Sequence, residues 1–389
     1  MKRRNRLGKA KLLKRGQVEV TFNWFYVLIA GGVILLFFVG IVFKQKAASE
    51  EQLSVEVVRV MQSIFTAAGV SEKTKNAISL GAISQEEIYF DCQEGVTTYG
   101  LSGHLGKAQE AITPLFAPLT LQTPTLILWS LPYKFPYKVI DFLFVTSPDI
   151  KYFLIGSDVT FVNEFMNATD DSHSQLRFNR QYLVSLEDTD PGESMLVRFV
   201  DVDGSHIRSG QRVPEGVLRY EDSLVSAVVF TPGHVNFYRK EGEIWRNEVL
   251  NLLPLLSLGG ERDAAKYAAI FAGDAASYQC NMQKAFKRLA LVNQVYAGTE
   301  IGQRELGGKL AIMRDYYIAH PEILMNKPEC LLTVSSDPQE SLADLFSVQQ
   351  NQVSLCELSF NSCASLVETA RVIQEKNEDL ERVGCITLY

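Results

Sequence analysis

The first 43 residues constrain this chain most, because a strongly basic stretch is followed there by an apolar run. Residues 1–16 contain eight Lys or Arg and no acidic residue, and residues 22–43 are apolar apart from Asn23. As a helix, these 22 residues would extend about 33 Å, which matches the hydrocarbon core of a bilayer at about 30 Å. The sequence therefore predicts a transmembrane helix over residues 22–43.

The flanking charges predict how this helix is oriented. Eight cations precede the apolar run, whereas only Lys44 and Lys46 follow it directly, and basic flanks favour the cytoplasmic side. We therefore expect a cytoplasmic leader at 1–21, a single span in the cell membrane, and an extracytoplasmic chain from residue 47 onward. A cleaved secretory signal is the alternative, but its apolar core usually has only about 7–15 residues.

The remainder of the chain is acidic. The whole sequence carries a formal net charge of −7, and because residues 1–16 carry eight positive charges, residues 17–389 carry −15. Binding to nucleic acid requires Lys and Arg on the folded domain itself. We therefore expect no nucleic-acid partner; the expected partners are the lipid bilayer and a protein at the cell surface.

The stretch Lys14-Arg15-Gly16-Gln17, with the apolar run close behind it, resembles the processing site of archaeal class III signals, the type found on type IV pilin-like proteins. This resemblance implies cleavage between Gly16 and Gln17. Pilins carry a glutamate at the fifth residue after the cleavage site, whereas this chain has Thr21 there and Glu19 two residues earlier. The departure concerns the residue that the family uses for filament assembly.

Three further stretches resemble a set of uncharacterised archaeal single-pass membrane proteins: Phe22-Asn23-Trp24-Phe25, Trp129-Ser130-Leu131-Pro132 and the closing Cys385-Ile386-Thr387-Leu388-Tyr389. The resemblance implies a single membrane anchor. It implies no biochemical activity.

Apolar residues recur at helical spacing directly after the predicted span: Leu53, Val57, Val60, Met61, Ile64, Phe65 and Ala68. This stripe predicts an amphipathic helix that continues from the anchor, either as a stalk lying against the core or in the manner of a pilin. Gly69 is a plausible end, and Ser71 a plausible cap for a short helix to about Leu80. Residues 47–80 are thus predicted to be helical.

Residues 86–258 are predicted to form a mixed-sheet α+β domain. The predicted strands are short and rich in β-branched or aromatic residues; they are 87–90, 125–129, 142–145, 152–155, 195–200 and 225–230. Short helices are predicted at Asp158–Asn167 and Gly106–Ile112. A composition change at 258–260 then predicts a helical C-terminal region over 259–389, so the fold class is α+β.

Six cysteines in an exported domain predict disulfides. Five of them lie in the C-terminal third, and Cys280, Cys330 and Cys385 are the preferred candidates for bridging. The sequence does not choose among the 15 complete pairings that six cysteines allow, and buried free thiols are the alternative. No pair has C-x-x-C spacing, so the sequence predicts neither a metal site nor a redox motif.

The sharpest catalytic candidate is Asp201-Val202-Asp203-Gly204. A strand that ends in D-x-D-G resembles the first motif of haloacid-dehalogenase-like phosphatases, in which the first Asp is the nucleophile and Mg²⁺ neutralises the phosphate. Thr231 could supply the family's hydroxyl and Asp274 a metal carboxylate, but the second aspartate of that motif is replaced by Tyr278. The alternative is a tight turn between two strands.

The sequence also contains a glycosylation sequon and an aromatic, proline-containing stretch. Asn167-Ala168-Thr169 is the one N-x-[ST] sequon, which makes Asn167 a glycosylation candidate if the domain is exported. The stretch Trp129–Tyr137 combines aromatic residues with two prolines. It is predicted to be irregular, either docking a partner or burying its rings beneath the sheet.

These observations predict a membrane-anchored extracytoplasmic protein with a structural or interaction role, with no cofactor and no catalytic set. A pilin-like subunit processed after Gly16 and a membrane-tethered, Mg-dependent phosphatase that uses Asp201 are the alternatives.

Overall fold

The computed structural model describes residues 54–69, 71, 74–171, 176–249, 251–301, 304–336 and 341–389, together with residues 29, 36, 39 and 52. The chain divides into two units, 1–56 and 57–389, and the second contains the sheets and the C-terminal helices. The leader, the Gly16–Gln17 processing site and the span at 22–43 lie outside the described residues, apart from three helical positions of the span. None of the helices that can be described is both long and apolar enough to cross a membrane.

The strands, in chain order, are β1 Lys75–Ser79, β2 Ile88–Gln93, β3 Val96–Leu101, β4 Lys107–Glu110, β5 Leu115–Phe116, β6 Thr120–Leu121, β7 Thr125–Lys134, β8 Lys138–Thr146, β9 Ile150–Ile155, β10 Asn179–Tyr182, β11 Leu196–Asp201, β12 Val225–Thr231, β13 His234–Glu241, β14 Ile244–Asn247, β15 Leu253–Pro254, β16 Gly298–Ile301 and β17 Arg304–Gly307. The helices are α1 (54–69), α2 Val159–Ala168, α3 Ala264–Phe271, α4 Ala275–Ala297, α5 Lys309–Ala319, α6 Pro321–Asn326, α7 Glu329–Leu331, α8 Leu342–Leu358 and α9 Ala364–Arg382. The α+β class is confirmed.

The strands form separate sheets. The first has the order β1-β7-β8-β5, and the second has the order β4-β3-β2-β6. The third, which we call the large sheet, has the order β10-β9-β11-β12-β13-β14, with β15 also paired to β13. Strands β10, β9, β11 and β12 are parallel, whereas β12, β13 and β14 are antiparallel. The large sheet is therefore mixed, and β16 and β17 form a small hairpin apart from it.

Helix α1 packs against the second sheet along most of the predicted stripe. Met61, Phe65 and Ala68 are buried, and the ring of Phe65 lies 5.0 Å from that of Tyr99. Val58 is buried, whereas Val60, which belongs to the predicted stripe, is 48% exposed. The helical prediction is thus correct for residues 54–69, with the buried face rotated slightly from the expected one.

Two predicted short helices are wrong. Residues 75–79 form strand β1, which pairs with β7, and Ser71 donates a hydrogen bond to the carbonyl oxygen of Ala67 at the end of α1 instead of capping a new helix. Gly106–Ile112 contains the edge strand β4, in which Ala108 alone is buried between exposed neighbours. Pairing with a neighbouring strand outweighs the helix propensity of these short segments.

The stretch Trp129–Tyr137 is more regular than its prolines suggested. Strand β7 continues through Pro132 to Lys134, and the peptide before Pro136 is cis. Strand β1 pairs only with Thr125–Trp129, so β7 is an edge strand at Pro132 on that side, where a missing N–H costs no ladder bond. The aromatic residues of this stretch are at most 3% exposed, so its rings are core residues and not a docking surface.

The main core joins the sheets to the C-terminal helices. Trp129 contacts Phe144 of β8, Phe178, and Tyr267 and Phe271 of α3, with ring centroids 5.0–6.2 Å apart. The same continuous cluster includes Leu366 and Ile373 of α9. The change of composition at 258–260 therefore marks a change from strand to helix inside one core.

All six cysteines are paired in disulfides. Cys92 of β2 is joined to Cys280 of α4, Cys330 to Cys385, and Cys356 to Cys363, with Cα–Cα distances of 5.9, 5.7 and 4.9 Å. The prediction of bridges is confirmed, with Cys330 and Cys385 paired to each other. The pairing of Cys280 with the distant Cys92 ties α4 to the second sheet.

Because a disulfide restricts the unfolded chain more when its loop is longer, we expect the three bridges to differ in their effects. The pairs span 188, 55 and 7 residues, and loop entropy gives losses of about 5, 4 and 2 kcal/mol on replacing each pair by serines. Urea unfolding of the three double-serine variants measures this order. An equal loss from all three pairs would contradict the entropic explanation.

A buried lysine makes a second tie between α4 and the second sheet. Lys284 is 3% exposed, and its Nζ donates to Thr97 Oγ1 at 2.6 Å and to the carbonyl oxygens of Glu110 at 2.8 Å and Thr113 at 3.3 Å. Burial lowers the pKa of Lys284 to about 7; the charge of Glu110 opposes this shift and that of Lys287 adds to it. Three acceptors thus satisfy the three ammonium protons. These hydrogen bonds do not fully offset the free-energy cost of removing the charge from water, so the pKa of Lys284 stays low.

This lysine makes stability depend on pH. From about pH 7 to 10 the folded protein binds fewer protons than the unfolded chain at this site, so the free energy of unfolding rises with pH across that window, by up to about 4 kcal/mol. We expect Lys284→Met to remove this rise in urea unfolding measured at several pH values. Replacing the exposed Lys134 in the same way is the control, and a slope unchanged by Lys284→Met would refute the assignment.

Candidate functional site

The Asp201–Gly204 turn lies at the carboxyl end of β11. The carboxylate of Asp201 is fully buried, and its Oδ1 accepts hydrogen bonds from the backbone N–H of Gly204 at 2.9 Å and of Asp203 at 3.4 Å. Its Oδ2 accepts from the N–H of His206 and of Ile207, both at 2.8 Å. Since backbone amides surround both oxygens, Asp201 holds a turn and leaves no open face for a phosphorus atom.

Both carboxylate oxygens of Asp203 likewise accept hydrogen bonds from the protein. Its Oδ2 accepts from the N–H and hydroxyl of Ser157 at 2.6 and 2.5 Å, and its Oδ1 accepts from those of Ser205 at 3.1 and 2.5 Å. Burial alone would raise the pKa of Asp203, but the hydrogen bonds from Ser157 and Ser205 outweigh it and hold the pKa well below its usual range. The side chain thereby ties the end of β9 to the end of β11.

Asp201, Asp203 and His206 form the one group of potential metal ligands found among the described residues, with their ligand atoms within 4.8 Å of one another. His206 Nδ1 also lies 2.7 Å from Ser205 Oγ. The carboxylate oxygens of this group already accept hydrogen bonds from the protein. The arrangement is therefore that of a hydrogen-bonded turn.

Of the other two residues of the phosphatase resemblance, Thr231 lies near Asp201 and Asp274 does not. Thr231 lies near the turn, since a Cβ on Gly204 would be 2.7 Å from Thr231 Cγ2. Asp274 instead caps the N-terminus of α4 by accepting from Ser277 N–H at 2.7 Å, and it lines a cavity at the amino ends of β11 and β12. Asp201 and Asp274 thus lie toward opposite ends of the parallel strands.

That cavity has a volume of about 740 Å³, within the range of small-molecule sites. Its walls come from the amino ends of β9, β11 and β12, the end of β13, and the loop between α3 and α4. About half of the lining residues are apolar, among them Leu119, Ile150, Leu196, Val249, Ile270 and Phe271. Of the charged residues in the lining, only Asp274 was named as a candidate site residue from the sequence.

Arg198, in the middle of β11, is a buried cation of the cavity wall. It is 5% exposed, and its Nη2 donates to the carbonyl oxygens of Ala269 at 3.1 Å and Ala272 at 2.8 Å, at the end of α3. Its Nη1 donates to Ser226 Oγ at 2.8 Å and to the Gly273 carbonyl at 3.4 Å. Burial lowers the pKa of Arg198, and the charge of Glu248 opposes that shift.

Glu248 faces Arg198 across the start of α4. Its Oε2 accepts a hydrogen bond from Ala275 N–H at 2.8 Å, which satisfies the first amide of the helix. Burial raises the pKa of Glu248, although this amide and the charge of Arg198 oppose the shift. Carboxylates at Glu248 and Asp274 thus cap α4 from two sides, while Arg198 closes α3.

The sequence carried a signal for Arg198 that spacing motifs do not capture. A lone charged residue stands inside the apolar strand Leu196–Asp201, and a buried charge requires acceptors or a ligand. The sequence around Glu248 contains no such signal, because the role of Glu248 depends on the position at which α4 begins.

The glycosylation candidate Asn167 lies in the last turn of α2. Asn167 is exposed, whereas Thr169 of the same sequon is fully buried and donates to the carbonyl oxygen of Phe165 at 2.6 Å. In the folded domain Asn167 of the sequon is therefore accessible, whereas Thr169 is not.

Comparison with known proteins assigns no family to this arrangement. No protein-family model matches the chain, and neither a curated protein nor a solved structure shows significant similarity to it.

The role of Asp201 in the turn is testable. Asp201→Ala leaves buried backbone amides without acceptors, and we expect it to lower the free energy of unfolding by about 3 kcal/mol or more. Asp190→Ala is the matched control, because Asp190 accepts one amide, that of Gly192, at an exposed turn, and should cost below about 1 kcal/mol. Equal losses in urea unfolding for the two variants would contradict the turn assignment.

Proposed function

We propose that this protein is a single-pass membrane protein with its N-terminus in the cytoplasm and its folded part outside, where it serves a structural or interaction role. The observation that carries the proposal is the pairing of all six cysteines. Disulfides of this number form and persist in oxidising compartments and are rare in the cytosol. They are therefore expected of a domain that has been exported.

The N-terminal sequence supplies the means of anchoring. The apolar run at 22–43 is long enough to span a bilayer, and the excess of basic residues before it favours a cytoplasmic N-terminus. The acidic character of residues 17–389, at −15, fits a surface-exposed domain with no nucleic-acid partner.

An interaction role does not depend on the stretch Trp129–Tyr137. Its aromatic side chains are buried in the core, so a protein partner would contact another face. An enzymatic role through Asp201 has little support from the geometry, because the carboxylate is enclosed by backbone amides.

The topology predicts a defined result from fractionation. We expect the full chain to stay with membranes during alkaline carbonate extraction, and protease added to intact cells to digest the folded part. A chain lacking residues 22–43 is the control and should leave the membrane fraction. Recovery of the full chain in the soluble fraction, or complete protection from external protease, would overturn the proposal.

N-terminal sequencing of the membrane-extracted protein distinguishes an anchor that has been processed after Gly16 from one that has not. A chain that begins at Gln17 supports the class III type of processing after Gly16, and a chain that begins at Met1 excludes it. Either result is compatible with a single span over 22–43.

A further inference from the structure

The charged groups on the wall of the cavity at the amino ends of β11 and β12 differ in how well they are paired. Lys240 donates to Asp222 Oδ1 at 2.7 Å and to the Tyr220 carbonyl at 2.8 Å, and Glu241 pairs with Arg246 at 2.5 Å. These charges are balanced within the protein. Arg198, Glu248, Asp274 and the exposed Arg239 form no ion pair within the described residues, although the charges of Arg198 and Arg239 both act on Glu248.

Arg198 is a buried cation without a direct counter-ion. Its hydrogen-bond partners are three carbonyl oxygens and one hydroxyl, all neutral, and it forms no ion pair within the described ranges. Its Nε–H has no acceptor there either. A buried guanidinium that lines a cavity in this state favours a negatively charged group beside it.

Glu248 and Asp274 supply the opposite sign. Each commits one oxygen to a backbone amide of α4, that of Ala275 or Ser277, while the other oxygen accepts no hydrogen bond from the part of the chain that the structure describes. These free oxygens suit an ammonium group, which carries three donors and no acceptor.

The two signs lie close together along one short piece of backbone. Arg198 binds the carbonyl oxygen of Gly273, Asp274 follows it, and Glu248 binds the amide of Ala275. Since each charged group is within one hydrogen bond of this piece of backbone or belongs to it, and neighbouring Cα atoms are about 3.8 Å apart, the guanidinium and the carboxylates lie within about 10 Å of one another. In an α-amino acid the ammonium nitrogen and the carboxylate carbon are about 2.5 Å apart, and a hydrogen bond of about 2.9 Å from each group lets one molecule contact opposite charges separated by several ångströms.

We propose that this cavity binds a small zwitterion, an α-amino acid with an apolar side chain, with its carboxylate toward Arg198 and its ammonium toward Glu248 and Asp274. The apolar half of the lining, which includes Ile150, Leu196 and Phe271, would receive the side chain. The site lies entirely within residues 118–279 and does not rest on the proposed membrane topology, so the two proposals fail separately.

Calorimetric titration of the purified full chain tests the proposal with matched probes. The probes are L-phenylalanine, 2-phenylethylamine, which lacks the carboxylate, and 3-phenylpropanoate, which lacks the amine; L-leucine, isopentylamine and 4-methylpentanoate form a second set. We expect an amino acid to bind at least about tenfold more tightly than either of its analogues, because each analogue loses one charged contact. If neither amino acid binds with a Kd below about 1 mM, or if the analogues bind equally well, the proposal is overturned.

Isosteric variants locate the site. Glu248→Gln and Asp274→Asn keep an oxygen for the amides of α4, and each should weaken binding of the amino acid about tenfold without weakening binding of its carboxylate analogue. Glu193→Gln, an exposed carboxylate outside the cavity, is the control and should leave both affinities unchanged. Unchanged amino-acid affinity in both cavity variants would place the ligand elsewhere and overturn the assignment. Thermal unfolding of each variant confirms that it is folded.

Discussion

The junction between α3 and α4 depends on two charges that come from elsewhere in the chain. The guanidinium of Arg198 donates to the last carbonyl oxygens of α3, and the carboxylate of Glu248 accepts from the first amide of α4. Each charge has the sign that the helix dipole favours at that end. The junction therefore fixes where α4 starts, and α4 in turn connects the sheets to the C-terminal helices.

Helix α4 makes these connections with polar as well as apolar contacts. Cys280 bonds to Cys92, Asn281 accepts from Thr97 and from the amide of Leu115, and Lys284 donates to the second sheet. Farther along, Asn293 accepts from Tyr137 at the tip of the β7–β8 hairpin. Because buried polar groups must be matched in direction as well as number, these contacts specify one register of α4 against the sheets.

The amino and carboxyl ends of the parallel strands of the large sheet have different characters. At the carboxyl ends, where open α/β sheets usually bind ligands, Asp201 and Asp203 bind backbone amides and serine hydroxyls and close the turn. At the amino ends the charges of Arg198, Glu248 and Asp274 remain incompletely paired around a cavity. The carboxylates at the carboxyl ends are thus fully committed to the turn, whereas those at the amino ends each cap α4 with one oxygen and keep the other without a hydrogen bond from the described part of the chain.

The six strands expected from β-branched and aromatic runs all exist, and so do the disulfides, because these depend on local composition and cysteine count. The C-terminal region is mainly helical as predicted, but the β16–β17 hairpin interrupts it. The same local patterns failed at Gly106–Ile112 and at residues 71–80, where strand partners distant in sequence outweigh weak helix propensity. The sequence by itself determined the acidic α+β body and the number of cysteines available for disulfides, and it predicts the anchor, since hydrophobic period, segment length and charge can be read along the chain without its tertiary contacts. Only the tertiary structure decided that Asp201 closes a turn and that Arg198 and Glu248 face one cavity, because both depend on which distant backbone groups pack beside each side chain.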